Sequence, residues 1–331
     1  MQHPDVQNIS ARLFGKRSGP LGFGTGLLHH AASPSNAVRL LREAHNQGIT
    51  YFDTARLYAD GEAEKRLGEA FSHIRNEVII TTKVGILPVR RDLATRASGK
   101  AAAILRRIAP LKALVPETAV QHPEFGVFDA GRMQLSLETS LKLLRTDHVD
   151  ALLLHECTLE DLRKDEVQAF LEQAVQSGKA RVYGVAPSAH EMLAIAASGE
   201  RLGAAAQFDA SLQDPFPPAG VNKPPLIVTH SCLGQDFRNM VNRLQADAGL
   251  RARWLQAAGV DASDTGQVAQ AFLAHALAQN ADGLALFSTT RPERLKANLA
   301  AERWLTTPER CAAAGKLIAE LRANEIAPRP V

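Results

Sequence analysis

Cysteine and aromatic side chains are scarce in this chain, and their scarcity disfavours several classes of protein. Three cysteines occur in 331 residues, at Cys157, Cys232 and Cys311. Their odd number and wide spacing argue against a disulfide framework and a clustered zinc site, so we expect no metal and a reducing, cytoplasmic location. Aromatic residues make up 5% of the chain, and the net charge is +3. A nucleic-acid-binding protein usually has a wider basic surface with exposed aromatic side chains, so we expect no nucleic-acid partner.

Long apolar runs are missing as well. No uninterrupted apolar segment reaches the length of about 20 residues that a membrane-spanning helix needs. The opening segment MQHPDVQNISARLFGKRSG is polar and lacks the apolar centre of a secretion signal. We therefore expect no membrane partner. The composition, 45% hydrophobic and 22% charged, is that of a globular protein with enough apolar material for a large core.

Eight apolar segments alternate along the chain with segments of helical period. These apolar segments are hydrophobic throughout rather than at every second residue, which is typical of strands buried on both faces. Repeated strand–helix units indicate parallel pairing through crossover helices. The predicted strands are PLGFGTGLL, ITYFDT, EVIITTKVG, HVDALLLHE, ARVYGVA, GAAAQFDA, PPLIVTHS and GLALFS.

Two α/β architectures fit this order, an open doubly wound sheet and a closed (β/α)8 TIM barrel. The glycines of GFGTG have the wrong spacing for a dinucleotide fingerprint, and no acidic residue follows at the required distance. Eight units without that fingerprint favour the barrel. Because no change in composition marks a linker, we predict a single domain over residues 1–331.

Polar side chains collect at the ends of three successive predicted strands, where (β/α)8 barrels place their active sites. Asp53, Lys83 and His155 end the second, third and fourth strands, and Tyr58 lies just after the second. A lysine cation beside a phenol lowers its pKa from about 10. Asp53 would keep Lys83 charged, and a neutral His155 would donate a hydrogen bond to a substrate oxygen. The set suits proton transfer to or from a carbonyl or alcohol oxygen.

Taken singly, these residues could have structural roles or serve a different chemistry. Asp53 alone could cap a turn and His155 could be a hydrogen-bonded core histidine, whereas a buried lysine without a partner is costly. Acyl transfer and zinc chemistry fit less well, because no serine or cysteine is paired with a base and no His-x-His pair occurs. Lys83 could instead be the nucleophile of a Schiff-base enzyme, although Asp53 would keep it protonated.

The segment FDTARLYADGEAEKRLGEAF resembles the signature of the aldo-keto reductase family, Asp-Thr-Ala-x-x-Tyr followed by Gly-x-x-Glu and Leu-Gly. TTKVG and VDALLLHE are similar to the family segments that carry its lysine and histidine, and the resemblance runs from Leu21 to Leu299. It implies a (β/α)8 barrel, the cofactor NADP(H), and reversible reduction of a carbonyl to an alcohol. It also implies that Asp53, Tyr58, Lys83 and His155 form the catalytic tetrad, with Tyr58 as the proton donor.

The same resemblance assigns residues to the cofactor. Gln207 matches the family glutamine that contacts the nicotinamide carboxamide. THSCLGQ aligns with a family segment that usually reads Tyr-Ser-Pro-Leu-Gly. This alignment places His230 where an aromatic ring usually stacks on the nicotinamide. In GVAPSAH, Ala186 and Pro187 stand where the family usually has Ser-Asn, and Ser188 could substitute for them. The cofactor-binding residues that the resemblance implies are Gly24, Thr25, Asp53, Gln207, His230, Ser231, Leu233, Ser288, Thr289, Arg294 and Asn298.

The adenosine end of this assignment is LFSTTRPERLKAN. Arg294 matches the arginine over the 2′-phosphate, and Arg291 adds a second cation at a helix expected to begin at Pro292. Ser288 stands where the family usually has a lysine. The two arginines favour NADPH over NADH, although NAD(H) use remains possible.

The connection after the third strand is much longer than a typical barrel loop. This basic insertion, residues 86–131, carries seven lysines and arginines against one acidic residue between Ile86 and Val115, and KAAAILRRIAPLKALV looks helical. Because it follows Lys83, we expect it to lie over the active-site mouth. It could be a covering segment with a solvated basic face, or it could attract an anionic substrate or the cofactor phosphates. Similar insertions among sugar and aldose dehydrogenase-like members hint at a sugar-like carbonyl substrate.

The predicted partner is thus a small-molecule carbonyl or alcohol, and the predicted assembly is a monomer or small homo-oligomer. The altered GVAPSAH segment keeps another hypothesis open, a non-catalytic barrel that binds dinucleotide and reports redox state to a partner.

Overall fold

Eight parallel strands close into a barrel in the computed structural model, which describes residues 4–89, 122–209 and 223–326. The strands follow each other around the barrel in chain order, and β1 closes the ring by pairing with β8. The eight predicted strands and the (β/α)8 architecture are therefore confirmed. Their bounds are β1 Leu21–Gly24, β2 Tyr51–Asp53, β3 Ile79–Val84, β4 Val149–His155, β5 Ala180–Ala186, β6 Ala205–Asp209, β7 Leu226–His230 and β8 Leu284–Phe287.

Helices surround the barrel and begin where the sequence has capping residues. Ser33 accepts a hydrogen bond from the backbone N–H of Asn36 and so caps α2, as Ser33 followed by Pro34 predicts. The helices in the described part of the chain are α1 Pro4–Phe14, α2 Pro34–Asn46, α3 Glu62–Phe71, α4 Ala130–Leu144, α5 Leu159–Leu162, α6 Asp165–Gln176, α7 Ala189–Ala197, α8 Gln235–Ala246, α9 Ala248–Ala258, α10 Thr265–Gln279, α11 Pro292–Leu299 and α12 Pro308–Ile326. None of them is long and apolar enough to cross a membrane.

The strands are buried on both faces, which explains why they are apolar throughout. One set of side chains, including Phe52, Ile80 and Leu152, packs outward against the helices. The alternate set, including Ile79 and Leu153, fills the barrel interior. Parallel strands in a barrel have no solvent-facing side, so the alternation of polar and apolar residues is lost.

Helix α1 covers the end of the barrel at which the strands begin. Its Val6 and the neighbouring Phe14 are buried against Tyr51 and other interior side chains. Just beyond the helix, Lys16 reaches the buried Asp150 at the start of β4, with 2.7 Å between Nζ and Oδ1. The sequence analysis does not predict α1, because this short polar segment lacks the strand–helix pattern of a barrel unit.

Two further helices, α8 and α9, also lie where the sequence pattern predicts none. Only Met240 and Leu244 of α8 are buried, so its apolar stripe is narrow. Asp247 ends this helix and caps the next one by accepting from the backbone N–H of Leu250. The two short amphipathic helices together extend the connection between β7 and α10.

The basic insertion lies largely outside the described residues, and its predicted helix KAAAILRRIAPLKALV falls entirely there. Its described ends meet in an antiparallel bridge, since the N–H groups of Leu87 and Glu124 donate to each other's carbonyls at 2.9 and 3.0 Å. Gly85, with φ of 113°, turns the chain away from β3 and packs against Phe128. The insertion therefore departs from and returns to one place, directly after Lys83.

Candidate active site

Three strand ends and one loop bring four polar side chains together at the mouth of the barrel. Lys83 of β3 is buried, and its Nζ lies 2.6 Å from Oδ1 of Asp53 at the end of β2. The same ammonium lies 3.4 Å from the hydroxyl of Tyr58 and donates to the carbonyl of Thr54 at 2.9 Å. The ring of His155, at the end of β4, meets the Tyr58 ring edge-on at 6.1 Å. The structure thus assembles all four residues that the sequence places at strand ends.

Lys83 stays protonated in this arrangement. Burial by itself lowers the pKa of a lysine, but the charge of Asp53 and the contact with Tyr58 outweigh it and raise the pKa of Lys83 above its ordinary value. The ion pair is almost completely buried, with side-chain exposures of 1% for Lys83 and 3% for Asp53. A buried charge without a partner would be costly, so each residue depends on the other.

Tyr58 is a neutral phenol near neutrality. Burial raises its pKa, and Asp53 adds to this effect, while Lys83 lowers the pKa without reversing the net shift. The lowered pKa that the sequence predicts takes only the lysine into account and is wrong in direction. Desolvation could not be weighed from the sequence, because the degree of burial is a tertiary property. A protonated Tyr58 beside an ammonium can donate its proton and then be stabilised as phenolate.

His155 is also neutral. Burial, followed by the positive charge of Lys83 and the nearby His230, lowers the pKa of His155 to about 3. A neutral imidazole can donate one hydrogen bond without adding a second cation to the site. This matches the role expected from the sequence, a donor to a substrate oxygen.

The backbone after Tyr58 is strained. Ala59, Asp60 and Gly61 follow one another in the left-handed region, with φ of 54°, 57° and 88°. For residues with a side chain this conformation costs roughly 1–2 kcal/mol each. Such strain persists only where surrounding contacts hold it, so the loop that carries Tyr58 depends on its neighbours.

Two residues assigned to the nicotinamide end each have a buried polar atom without a hydrogen-bond partner in the described part of the chain. The atoms are Oε1 of Gln207 in β6 and Oγ1 of Thr25 after β1. An unsatisfied buried polar group costs about 1–3 kcal/mol. An amide-bearing ligand would satisfy the Gln207 oxygen with its N–H₂ group, so these residues fit a nicotinamide carboxamide.

His230, Ser231 and Leu233 follow one another where β7 ends. His230 is the last residue of β7, opposite Asp209 of β6, and its Nδ1 lies 2.8 Å from Oγ of Ser231. Ser231 has φ of 62°, and Leu233 is half-buried against the core. Burial lowers the pKa of His230, partly offset by Asp209 and Asp53, so this imidazole is neutral near pH 7.

Three hydroxyl groups assigned to the cofactor, or considered for it, already have protein partners. Ser288 Oγ donates to the carbonyl of Gly24 at 2.7 Å and so joins the ends of β8 and β1. Thr289 Oγ1 accepts from the N–H of Arg291 before α11. The exposed Ser188 caps α7 by accepting from the N–H of Glu191. Each of these hydroxyl groups therefore has a structural hydrogen bond that competes with its predicted contact to the cofactor.

The helix expected after β8 begins at Pro292, as predicted, with Arg291 as its N-cap residue. Arg291 and Arg294 expose their side chains at this N-terminus, whereas Asn298 is buried on the same helix. A helix N-terminus flanked by two exposed cations suits a phosphate group. The structure thus brings both arginines to the start of α11, and their contact with a 2′-phosphate stays a prediction.

Sequence reasoning gave no role to three residues beside the tetrad, Thr54, Arg56 and Glu64, although Thr54 and Glu64 stand in the signature segment. The carbonyl of Thr54 helps to hold Lys83, and Glu64 is completely buried on α3. A signal for Glu64 was available, because it shares one face of the helix with Leu67 and Phe71, where an acidic residue is out of place. Within the described ranges, no group of three or more His, Cys, Asp or Glu residues could hold a metal ion.

Comparison with known proteins agrees with this geometry. The profile of the Aldo/keto reductase family matches residues 20–221. D-threo-aldose 1-dehydrogenase of a Pseudomonas species is 31% identical over 177 residues, which cover 50% of this chain and 49% of that protein. Methylglyoxal reductase of Escherichia coli is 29% identical over 168 residues, covering 50% and 44%. The chain thus spans about half the length of the curated relatives it matches.

Solved structures share the fold over nearly the whole chain. The glycerol dehydrogenase of Gluconobacter oxydans has a TM-score of 0.64 at 18% identity, covering 96% of this chain and 94% of that one. An aldo-keto reductase of Klebsiella pneumoniae in complex with NADPH has a TM-score of 0.57 at 24% identity, covering 86% of each chain. Together with the profile match, which covers more than half of the residues, these findings show that the chain belongs to the Aldo/keto reductase family.

Proposed function

We propose that this protein is an NADP(H)-dependent oxidoreductase that reversibly reduces an aldehyde or ketone to an alcohol. The observation that carries the proposal is the position of the Lys83 ammonium, 2.6 Å from the Asp53 carboxylate and 3.4 Å from the Tyr58 hydroxyl. A neutral His155 completes the set. The sugar-acting D-threo-aldose 1-dehydrogenase and L-galactose dehydrogenase among the relatives support a sugar or aldose-like carbonyl as the substrate class.

Each tetrad residue has a distinct part in proton transfer. Tyr58 holds the proton that passes to the carbonyl oxygen as the alcohol forms, and it takes the proton back in the reverse direction. Lys83 stabilises the phenolate left behind, and Asp53 keeps Lys83 charged and in place. His155 donates a hydrogen bond to the same substrate oxygen and so stabilises its developing charge.

The cofactor residues fit NADP(H). Gln207 and Thr25 would hold the carboxamide end, His230 would lie against the nicotinamide ring, and Arg291 with Arg294 would contact the 2′-phosphate. When bound, the reduced nicotinamide supplies the hydride. Two arginines at the start of α11 favour the extra phosphate of NADPH, and the Klebsiella relative in complex with NADPH is consistent with this choice.

The basic insertion belongs to the same proposal as a wall of the substrate pocket. Its described ends are joined between Leu87 and Glu124, directly after the strand that carries Lys83. Because both described ends lie beside the strand that carries Lys83, they support the predicted position of residues 86–131 over the active site.

The Schiff-base hypothesis is less favoured. A nucleophilic lysine must be deprotonated, whereas Asp53 and Tyr58 raise the pKa of Lys83. Borohydride trapping with a carbonyl compound should therefore leave no adduct on Lys83. A stable adduct at this residue would support the Schiff-base enzyme instead.

The proposal is tested by cofactor titration followed by turnover. Purified protein is titrated with NADPH and with NADH, and then assayed against a panel of aldoses, aldehydes and ketones. We expect tighter binding of NADPH than NADH and NADPH oxidation with at least one carbonyl. The variant Tyr58→Phe, which differs by one hydroxyl, should bind NADPH like the wild type but lose turnover. Absence of binding of either cofactor would refute the proposal, and near wild-type turnover by Tyr58→Phe would refute the assignment of the proton donor.

A further inference from the structure

Glu64 is a completely buried carboxylic acid that the mechanism above does not use. It lies in the first turn of α3, and its Oε1 accepts a hydrogen bond of 2.7 Å from the hydroxyl of Thr82. Thr82 precedes Lys83 in β3, so the carboxyl holds the outer face of the strand at the residue next to the catalytic lysine. Burial raises the pKa of Glu64, which means that this position is costly for a charged group. The free-energy cost of burying the Glu64 carboxyl suggests that this residue has a specific role.

Arg56 connects Glu64 with the loop that carries Tyr58. It lies between Asp53 and Tyr58 in the chain, and its charge lowers the pKa of Glu64. Its guanidinium passes directly beneath Gly61, where a Cβ atom would clash with Nη1 of Arg56. Nη1 of Arg56 and Oε2 of Glu64 are both buried and have no hydrogen-bond partner among the described residues. The hydroxyl of Ser140 on α4 and the guanidinium of Arg56 both lower the pKa of Glu64, so each is a donor that Oε2 can accept from.

The segment between Arg56 and Glu64 is the strained one. It contains the three consecutive left-handed residues Ala59, Asp60 and Gly61, directly after Tyr58. A strained loop keeps its conformation only when contacts on both sides determine it. Thr82 holds Glu64 to β3 by a hydrogen bond on one side, and the charge of Arg56 in the loop acts on it from the other.

We propose that Glu64 is a positioning residue that sets the distance between the Tyr58 hydroxyl and Lys83, by linking Thr82 of β3 to Arg56 in the Tyr58 loop. The expected effect of Glu64 on catalysis rests on the proposed function. The structural part of the inference, the position of Tyr58 relative to Lys83, can be measured without turnover. In the described contacts, Glu64 touches neither Tyr58 nor Lys83. Its effect on catalysis must therefore pass through the residues that it contacts.

The test compares Glu64→Ala, Glu64→Gln and Thr82→Val with the wild type. Glu62→Gln is the matched control, because Glu62 lies in the same turn of α3 but is exposed and paired with Arg66. For each variant, kcat and KM are measured with an active carbonyl, the Kd for NADPH by fluorescence, and Tm by thermal unfolding. The pKa of Tyr58 is followed by the ultraviolet absorbance of tyrosinate, as the difference between each variant and the same variant carrying Tyr58→Phe.

Glu64→Ala should lower kcat on the order of 10–100-fold, the usual effect of a displacement of about 1 Å, and leave the Kd for NADPH within about twofold. Thr82→Val should change kcat in the same direction, and combining it with Glu64→Ala should add little, because both break one link. Glu64→Gln keeps an acceptor for Thr82 but presents an amide N–H₂ donor to Arg56, so its kcat should fall by less than that of Glu64→Ala. Glu62→Gln should behave like the wild type.

The tyrosinate titration separates positioning from mere stability. The charges that act on Tyr58 are Lys83, which lowers its pKa, and Asp53 and Glu156, which raise it, whereas Glu64 is not among them. A Tyr58 hydroxyl that moves away from Lys83 therefore has a higher pKa in Glu64→Ala, with a smaller rise in Glu64→Gln. A merely structural role would lower Tm and leave both kcat and this pKa at wild-type values, which would overturn the inference.

Three other outcomes are also decisive. If Thr82→Val kept wild-type kcat and the wild-type Tyr58 pKa, the contact of Glu64 with β3 would not position Tyr58, and the inference would be wrong. If Glu64→Ala did not fold, Thr82→Val and Glu64→Gln would decide by the same criteria. If no carbonyl were reduced but the tyrosinate pKa rose as expected, the proposed function would fail while the positioning role held.

Discussion

Removal of the Lys83 charge should slow proton transfer at Tyr58 by about three orders of magnitude. The lysine Nζ lies 3.4 Å from the Tyr58 hydroxyl, and both are buried. With an effective dielectric constant of about 20, two unit charges at this distance interact with about 4–5 kcal/mol. The phenolate would lose that stabilisation, which corresponds to a rise of about 3 units in the pKa of Tyr58 and about a thousandfold in rate.

The choice of variant follows from the ion pair. Lys83→Met alone would leave the Asp53 carboxylate buried without its partner, at a cost of about 3–5 kcal/mol in folding free energy. The double variant Asp53→Asn/Lys83→Met removes both charges and approximately preserves the volume of both side chains. It should therefore be more stable than Lys83→Met and lose less rate, because it also removes the Asp53 charge that raises the pKa of Tyr58.

The assay combines kcat for an active carbonyl, the Kd for NADPH, and the tyrosinate titration of Tyr58. A loss of kcat of about a thousandfold and a raised Tyr58 pKa are expected in Lys83→Met, with smaller changes and an unchanged fold by circular dichroism in the double variant. If the kcat of Lys83→Met stayed within about tenfold of the wild type, the ammonium would not stabilise the phenolate, and the catalytic role assigned to Lys83 would be refuted.

Two further predictions concern stability. In the unfolded chain His155 has its ordinary pKa of 6.5, whereas in the folded protein its pKa is about 3. Between these two pH values the unfolded state binds more protons than the folded state. The free energy of unfolding therefore falls as the pH drops through this range. Between pH 7 and pH 5 the wild type should lose about 2 kcal/mol more than His155→Gln in urea unfolding, and equal losses would contradict the burial of a neutral imidazole. At the opposite end of the barrel, Asp150 pairs with Lys16 and Arg75 at 2.7 Å each. Asp150→Asn should cost about 3–5 kcal/mol of unfolding free energy without altering the Kd for NADPH, and a cost below about 1 kcal/mol would show that this buried cluster is not stabilising.

The barrel and its tetrad could be predicted from local patterns because both follow from strand ends. Strands buried on both faces are apolar throughout, and parallel strands of a barrel end on the same side, so Asp53, Lys83 and His155 had to lie near one another once eight units were recognised. Tyr58 follows from its short distance along the chain from Asp53. Helix starts at Ser33–Pro34 and Pro292 were likewise visible as capping patterns.

Other features depended on contacts between distant segments. No local pattern shows that α1 covers the barrel or that Lys16 reaches Asp150, which lies 134 residues away. The hydroxyl groups of Ser288 and Ser188 found partners in Gly24 and Glu191 that sequence comparison does not display. The pKa of Tyr58 was predicted in the wrong direction, since a nearby charge can be inferred from strand order while the loss of water around the phenol cannot.

Local patterns thus define the order of strands, the closed barrel and the residues at its mouth, because periodicity and strand-end position are properties of neighbouring residues. Which of these groups are buried, which hydroxyls are already bound, and that Glu64 accepts from Thr82 of β3 depend on tertiary packing. Burial and long-range hydrogen bonds depend on how helices pack over strands, and desolvation then fixes the protonation state on which the chemistry relies.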